Sequence, residues 1–280
     1  MNDTALRRIW LCADDYGLSP GVNRAIRDLI ERGRLNATSV MVVGPAIGRD
    51  EVNALNAAVT LRPHCAIGLH ATLTAPFHPL TMHFRPLDGG LFLPLAKMLR
   101  TSLLRRLDRE IIGAEVTAQI AAFATLFGRP PDYVDGHQHV QLFPQVRDAF
   151  LAAVKAAAPN AWVRQCGRRQ PLSSRIGMPK ALLLDVLSAR FRAGALSRNI
   201  AFNPGFAGAY DFLQASDFGG HLRGFLDGLP DGGLVMCHPG FVDETLIELD
   251  PLTDQREREY EFLAGDDFPA LLAMNKVTLA

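Results

Sequence analysis

The chain has 280 residues, 48% of them hydrophobic and 21% charged, an ordinary globular composition that suits one large α/β domain or two small ones. Lys plus Arg and Asp plus Glu balance at 29 each, so net charge supplies no attraction for nucleic acid, and none is expected as a partner. No run approaches the roughly 18 consecutive apolar residues of a membrane span, and residues 1–8 lack the apolar stretch of a signal peptide, so the expected setting is cytoplasmic.

Residues 8–13 read as a buried strand that ends at Asp14 and Asp15. A helix should follow, with Ser19 as its N-cap, Pro20 at its first position and Gly33 as its stop. Its apolar residues Val22, Ala25, Ile26, Leu29 and Ile30 recur at helical spacing. Residues 38–43 form a second β-rich run, closed by Gly44 and Pro45. Residues 65–70 are strand-like, and residues 114–127 should form a helix that stops at Gly128. Residues 133–137 make a short strand leading to Pro144, which opens a helix through Ala157. Residues 161–165 and 234–238 resemble two more strands. Cys12, Cys65, Cys166 and Cys237 show no CxxC spacing, which argues against a zinc ribbon or a redox motif and suits reduced, buried thiols. The sequons at Asn2 and Asn36 are then chance matches in a chain that is not exported.

Alternating β and α segments argue for a parallel sheet covered by helices. GxGxxG and GxxxxGK[ST] are absent, which removes the commonest open-sheet nucleotide folds. A barrel and an open sheet both satisfy the alternation. In either, strand C-termini gather on one face, and here four strand ends carry metal-binding or proton-moving side chains. They are Asp14 and Asp15, His70, His137 with His139, and His238. One carboxylate and two imidazoles leave positions open on a divalent ion, as catalytic sites require. Imidazole favours zinc or another first-row metal over magnesium, without excluding magnesium.

The motifs Ala13-Asp14-Asp15-Tyr16-Gly17-Leu18-Ser19, Gly68-Leu69-His70, Asp135-Gly136-His137-Gln138-His139-Val140 and Met236-Cys237-His238-Pro239-Gly240 resemble, in order, those of the YdjC-like carbohydrate deacetylases. That family includes chito-oligosaccharide deacetylase and the hopanoid-associated HpnK branch. The resemblance spans roughly residues 8–241 and implies a single domain over residues 1–280, built as a distorted TIM-like (β/α) barrel. It implies Asp15, His70 and His137 as ligands of one divalent metal, Asp14 as general base and His238 as general acid. Tyr16, Asp135 and His139 are candidate substrate contacts. Gln141 stands where the chito-oligosaccharide branch often carries a further His, and His-Gln-His replaces a run of consecutive histidines. The implied substrate therefore moves from chito-oligosaccharides towards a glycosylated hopanoid.

Plainer readings stand beside these. Asp14 and Asp15 could begin an ordinary turn, and His70 alone could be a hydrogen-bonded core histidine. In an extended segment His137 and His139 would point the same way, so either could bind metal. Asp135 could orient a histidine or be a solvated loop carboxylate. Cys237 and His238 face opposite sides of a strand and cannot form a nucleophilic dyad, while His64, His78, His83 and His221 receive no role. Two inserted helical segments, near residues 91–109 and 175–198, interleave apolar residues with basic ones: Lys97, Arg100, Arg105, Arg106 and Arg109 in the first, Lys180, Arg190 and Arg192 in the second. They are solvated helix faces, a lid, a homodimer contact, or a basic mouth that meets an anionic membrane and admits a lipid-linked sugar.

The expected reaction is hydrolysis of an N-acetyl group from a GlcNAc-type glycan or glycolipid, releasing acetate. The alternatives are another barrel metal hydrolase or isomerase, or a carbohydrate- or lipid-binding protein with a vestigial site. A base beside a water-bearing metal has no use in a mere binder, which favours the enzyme.

Overall fold

Apolar runs between turn residues become parallel strands, because a strand covered on both faces has no polar side to alternate. The computed structural model describes residues 6–167, 179–211 and 217–279. The Asn2 sequon, Arg175 and the side chain of Lys180 lie outside the described residues. The chain opens with β1 (Arg7–Tyr16), whose residues from Leu11 onward are buried. Helix α1 (Pro20–Glu31) starts as its sequence requires, with Ser19 Oγ accepting from the Val22 amide and Pro20 in the first turn. Then come β2 (Ala37–Val40), α2 (Arg49–Thr60) and β3 (Ala66–Ala71). A small hairpin, β4 (Leu87–Asp88) with β5 (Leu91–Phe92), precedes α3 (Leu95–Leu103) and α4 (Arg109–Phe127).

After β6 (Tyr133–Gly136) a 3-10 segment covers His137–Leu142, followed by α5 (Val146–Ala157) and β7 (Trp162–Val163). The remainder is α6 (Pro179–Ser197), β8 (Phe206–Ala207), α7 (Phe218–Leu226), β9 (Leu234–Cys237), α8 (Glu244–Leu249), α9 (Asp254–Ala264), α10 (Asp267–Met274) and β10 (Val277–Leu279).

The main sheet runs β7-β6-β3-β2-β1-β9-β8, every pair parallel, with β10 added to the N-terminal end of β1. It curls into a distorted TIM-like barrel. Its two edges approach each other through a Val163–Phe202 bridge and through Asn203, whose side chain accepts from the Gln165 amide and donates to its carbonyl. The interior is tight. The Tyr133 ring occupies the space a side chain at residue 68 would need, 2.4 Å from an ideal Cβ, so glycine is required there.

Several elements depart from the sequence reading. The helical segment expected near residues 91–109 is split into the strand Leu91–Phe92, the helix Leu95–Leu103 and the start of the next helix at Arg109. The second strand is Ala37–Val40 and the seventh only Trp162–Val163, shorter than the apolar runs that suggested them. Helix α4 begins at Arg109 because Asp108 caps it, accepting from the Glu110 and Ile111 amides. By length and composition α4 could cross a bilayer, yet its buried residues, Ile112 to Phe127, pack on α5 and β3 as in a core helix.

Candidate metal centre

The strand ends do converge. Asp14 and Asp15 are the eighth and ninth residues of β1, and both are buried. Asp15 takes φ +70°, a left-handed conformation that Asp tolerates better than most residues. Its Oδ1 lies 3.3 Å from His70 Nε2 and 3.1 Å from His137 Nδ1. Asp15, His70 and His137 thus bring three donor atoms within 4.8 Å of one another, all on buried residues. Ligands about 2.0–2.1 Å from a tetrahedral zinc stand about 3.3–3.4 Å apart, so the two short separations fit such an ion. The outer nitrogen of His70 is also fixed, since Nδ1 lies 2.6 Å from Asp135 Oδ1 and 3.2 Å from Ser39 Oγ. A carboxylate behind a histidine in this way turns the opposite nitrogen towards an ion.

Charge accounts for the rest of the cluster. Asp14, Asp15 and Asp135 are three buried carboxylates, and two buried guanidiniums face them. Arg164 donates to both oxygens of Asp14 at 2.6 Å and lies 2.5 Å from Asp135 Oδ2. Arg256 donates to Asp15 Oδ2 at 2.7 Å and is shared with Asp250 at the same distance. Burial would raise the Asp14 pKa, but Arg164, then His70, hold it well below the usual carboxylate range. Burial is likewise outweighed at Asp15 by Arg256 and by the bonds from His137 and His70. His70 is the converse case: burial disfavours its charge, yet Asp135 and Asp14 push it up to about 10. A cation binding at Nε2 must displace that proton.

A second group, Cys12, Asp14 and Asp135, also has metal-like spacing. Arg164 already fills it, with one nitrogen 2.9 Å from Cys12 Sγ and 2.6 Å from Asp14 Oδ1. The chain supplies its own cation there.

A sequence profile described as YdjC-like protein matches residues 8–274. The chain belongs to the YdjC-like family. In fold this YdjC-like chain is similar to a candidate cellobiose-phosphate cleavage protein from Enterococcus faecalis, at TM-score 0.77 and 20% identity over 99% of this chain and 97% of that one. It is also similar to a lactam utilization protein from Thermus thermophilus, at TM-score 0.52 and 16% identity over 97% and 98% of the two chains.

Other sequence expectations meet the structure unevenly. His238, directly after β9, is partly exposed, and its amide donates to Glu259 Oε2 at 2.5 Å. Burial pushes its ring down to about 4, which leaves it neutral at neutral pH. Asp135 is fully buried against His70 and Arg164, which corrects both the solvated-loop and the substrate-contact readings. Tyr16 is also corrected as a substrate contact. It is 0% exposed, and its hydroxyl donates to Glu51 and accepts from Arg27. His139 does not lie beside His137 as an extended segment would place it. Gln138 and His139 take φ +55° and +57°, which breaks the alternation and sets the His139 ring against Phe206 and 3.5 Å from Cys166 Sγ. Gln141 is buried too, donating to the Arg164 carbonyl at 3.3 Å.

Arg164, Arg256 and Glu259 escaped the sequence reading. Arg164 sits just past a strand read only for its apolar residues. Arg256 and Glu259 lie three apart on α9, one face of which reaches into the site from beyond residue 241. Buried ion partners carry no local sequence signal.

Proposed function

We propose that this chain is a metal-dependent de-N-acetylase of a GlcNAc-type glycoconjugate. The convergence of Asp15, His70 and His137 at the C-terminal strand ends carries the reading, and membership of the YdjC-like family supports it. These three residues would hold a divalent ion, zinc in preference to magnesium for an imidazole-rich donor set. The ion supplies Lewis acidity, polarising an acyl carbonyl and acidifying nearby water.

Asp14, oriented by Arg164 and by a 3.1 Å bond from Ser39 Oγ, accepts a proton as water attacks the acetyl carbon. The water oxygen bonds to that carbon, the C–N bond breaks, and acetate and a free amine leave. His238 is neutral in the free protein, so it must first take up a proton, from solvent or from the one Asp14 received, before handing it to the departing amine. Negative charge developing on the substrate would raise its basicity enough for that uptake.

The proposed substrate is lipid-linked, a glycosylated hopanoid met from the cytoplasmic side of a membrane. Both α3 and α6 pack beside the 3-10 segment that carries His137. Helix α3 buries Met98 and Ser102 and exposes Leu95 and Leu103 with Lys97 and Arg100, while Leu104, Arg105 and Arg106 just beyond it are exposed as well. Helix α6 buries Leu187, Phe191 and Ala195 and exposes Leu182, Leu183, Val186 and Arg190. Mixed leucine and arginine of this kind suit an anionic interface, with about 1 kcal/mol from each well-placed cation.

Metal analysis combined with mass spectrometry of N-acetylated glycans and glycolipids tests the activity, and loss of one acetyl group is expected. Charge reversal at Arg100, Arg105 and Arg190 should impair a lipid-linked GlcNAc substrate selectively. Equal effects on a water-soluble one would remove the lipid assignment while leaving the deacetylase.

A further inference from the structure

The opposite end of the barrel holds a cavity of about 520 Å³, within the range of small-ligand sites. It is lined by residues at the N-terminal ends of β1, β3, β6 and β7, among them Trp10, His64, Arg129, Asp132, Asn160 and Trp162. Trp10 precedes Asp14 by four residues, about 13 Å along a strand. The buried side chains of Leu11, Cys12 and Ala13 fill the interval. This mouth is therefore physically separate from the metal centre.

We propose that the N-terminal mouth of the barrel is a second binding site, for a neutral saccharide. Its floor is aromatic: Trp10 and Trp162 are both partly buried and line the cavity, their ring centroids 6.0 Å apart and their planes inclined by 35°. Tyr133 stacks on Trp162 at 4.4 Å, so that ring is held rigidly from inside the barrel. Barrel closure alone calls for buried rings, whereas these two keep surface facing the cavity. Prolines 63, 130, 131 and 159 stiffen the wall.

The ligand class follows from charge and shape. Arg129 and Asp132 pair with each other at 2.8 Å, and Asp132 also accepts from the Ile67 amide at 2.8 Å. Their charges cancel locally, which gives an ionic ligand no preference. Both still offer hydrogen-bonding edges, together with the exposed Asn160 carboxamide and His64 ring. A flat base needs a parallel slot, and two inclined rings in mutual contact do not form one. A puckered pyranose, with C–H groups on one face and hydroxyls around its edge, matches an inclined aromatic floor and a polar rim.

The assignment stands on this cavity's own chemistry and shares only the ligand class with the proposed activity. Its test is direct, because the chain has two tryptophans and both line the cavity. Intrinsic fluorescence of the full chain is titrated with N-acetylglucosamine, its β-1,4-linked dimer, cellobiose and adenosine. A saturable change with at least one saccharide and none with adenosine is expected. The response should persist in His137→Ala, weaken about five- to tenfold in Asn160→Ala, and be lost from the remaining Trp162 in Trp10→Leu.

No saturable change with any saccharide, a response to adenosine alone, loss in His137→Ala, or full affinity in Asn160→Ala would each overturn the proposal. Asn160 is exposed, so that variant decides the matter even if Trp10→Leu fails to fold. Acetate release, measured in a separate assay on a lipid-linked GlcNAc substrate, separates the two claims. Saturation without acetate leaves this site standing and removes the deacetylase reading, and acetate without saturation does the reverse.

Discussion

Two carboxylate clusters sit side by side at the same strand ends and are neutralised differently. Cys12, Asp14 and Asp135 surround the guanidinium of Arg164, a cation that belongs to the chain. Asp15, His70 and His137 bring three donor atoms within 4.8 Å of one another, and the nearby Arg256 meets Asp15 at its other oxygen, Oδ2. Matching donor spacing therefore does not make two metal sites. What separates them is whether a permanent cation reaches the centre, and a guanidinium cannot be displaced as the proton on His70 can. Asp135 joins the clusters, one oxygen on each.

Removing a donor from the open cluster should have the largest effect. His137→Ala should lose both metal and turnover, read by metal analysis of the purified protein and by acetate release. Retention of stoichiometric metal in that variant would move the centre elsewhere. Asp14→Asn should then divide metal binding from proton transfer. We expect metal content near that of the parent, with turnover reduced by ~10² to 10⁴, the usual worth of a general base. An Asn variant that keeps normal metal and near-parental turnover would strip Asp14 of the role.

The filled cluster should answer through stability. Arg164→Met leaves Asp14 and Asp135 buried without their cation, and breaking a buried pair costs about 3–5 kcal/mol. Denaturant titration reads this, and a loss under about 1 kcal/mol would mean that water or another group compensates. Asp135→Asn acts on both clusters more gently. It removes the carboxylate behind His70, and metal affinity should fall about 10- to 100-fold, measured by competition with a chelator.

The smallest effect concerns Glu259, which burial pushes up to about 7 despite bonds from Tyr210 and the His238 amide. Its folded pKa exceeds the ordinary value of 4.5, so its contribution is fully present below about pH 4.5 and is lost as pH rises to about 7. Glu259→Gln cannot titrate. The stability of the parent relative to that variant should fall across this window by at most about 3 kcal/mol, and a flat difference would show that Glu259 titrates normally.

The alternation of apolar runs, the Ser19-Pro20 helix start and the four polar strand ends were legible in the sequence. Each depends on neighbours a few residues away or on the shared direction of parallel strands. Asp14, Asp15, His70, His137, His139 and His238 could be nominated as a group because parallel topology brings strand C-termini together whatever the packing in detail. The choice of Asp15, His70 and His137 as ligands came from the family resemblance. The bend after Gly136 could not be foreseen, since the left-handed backbone at Gln138 and His139 is imposed by packing, and it sends His139 to Cys166. Tyr16 lies in a motif beside the buried carboxylates Asp14 and Asp15, yet its hydroxyl ends between Arg27 and Glu51. The partners of the buried charges were equally out of reach: Arg164 lies 150 residues from Asp14, and Arg256 lies 241 from Asp15. The sequence by itself determined which elements form and which strand ends carry reactive groups, because those properties are local or topological. Only the tertiary structure decided which guanidinium meets each buried carboxylate and which donor atoms are brought together, because that depends on where distant, fully buried side chains come to rest.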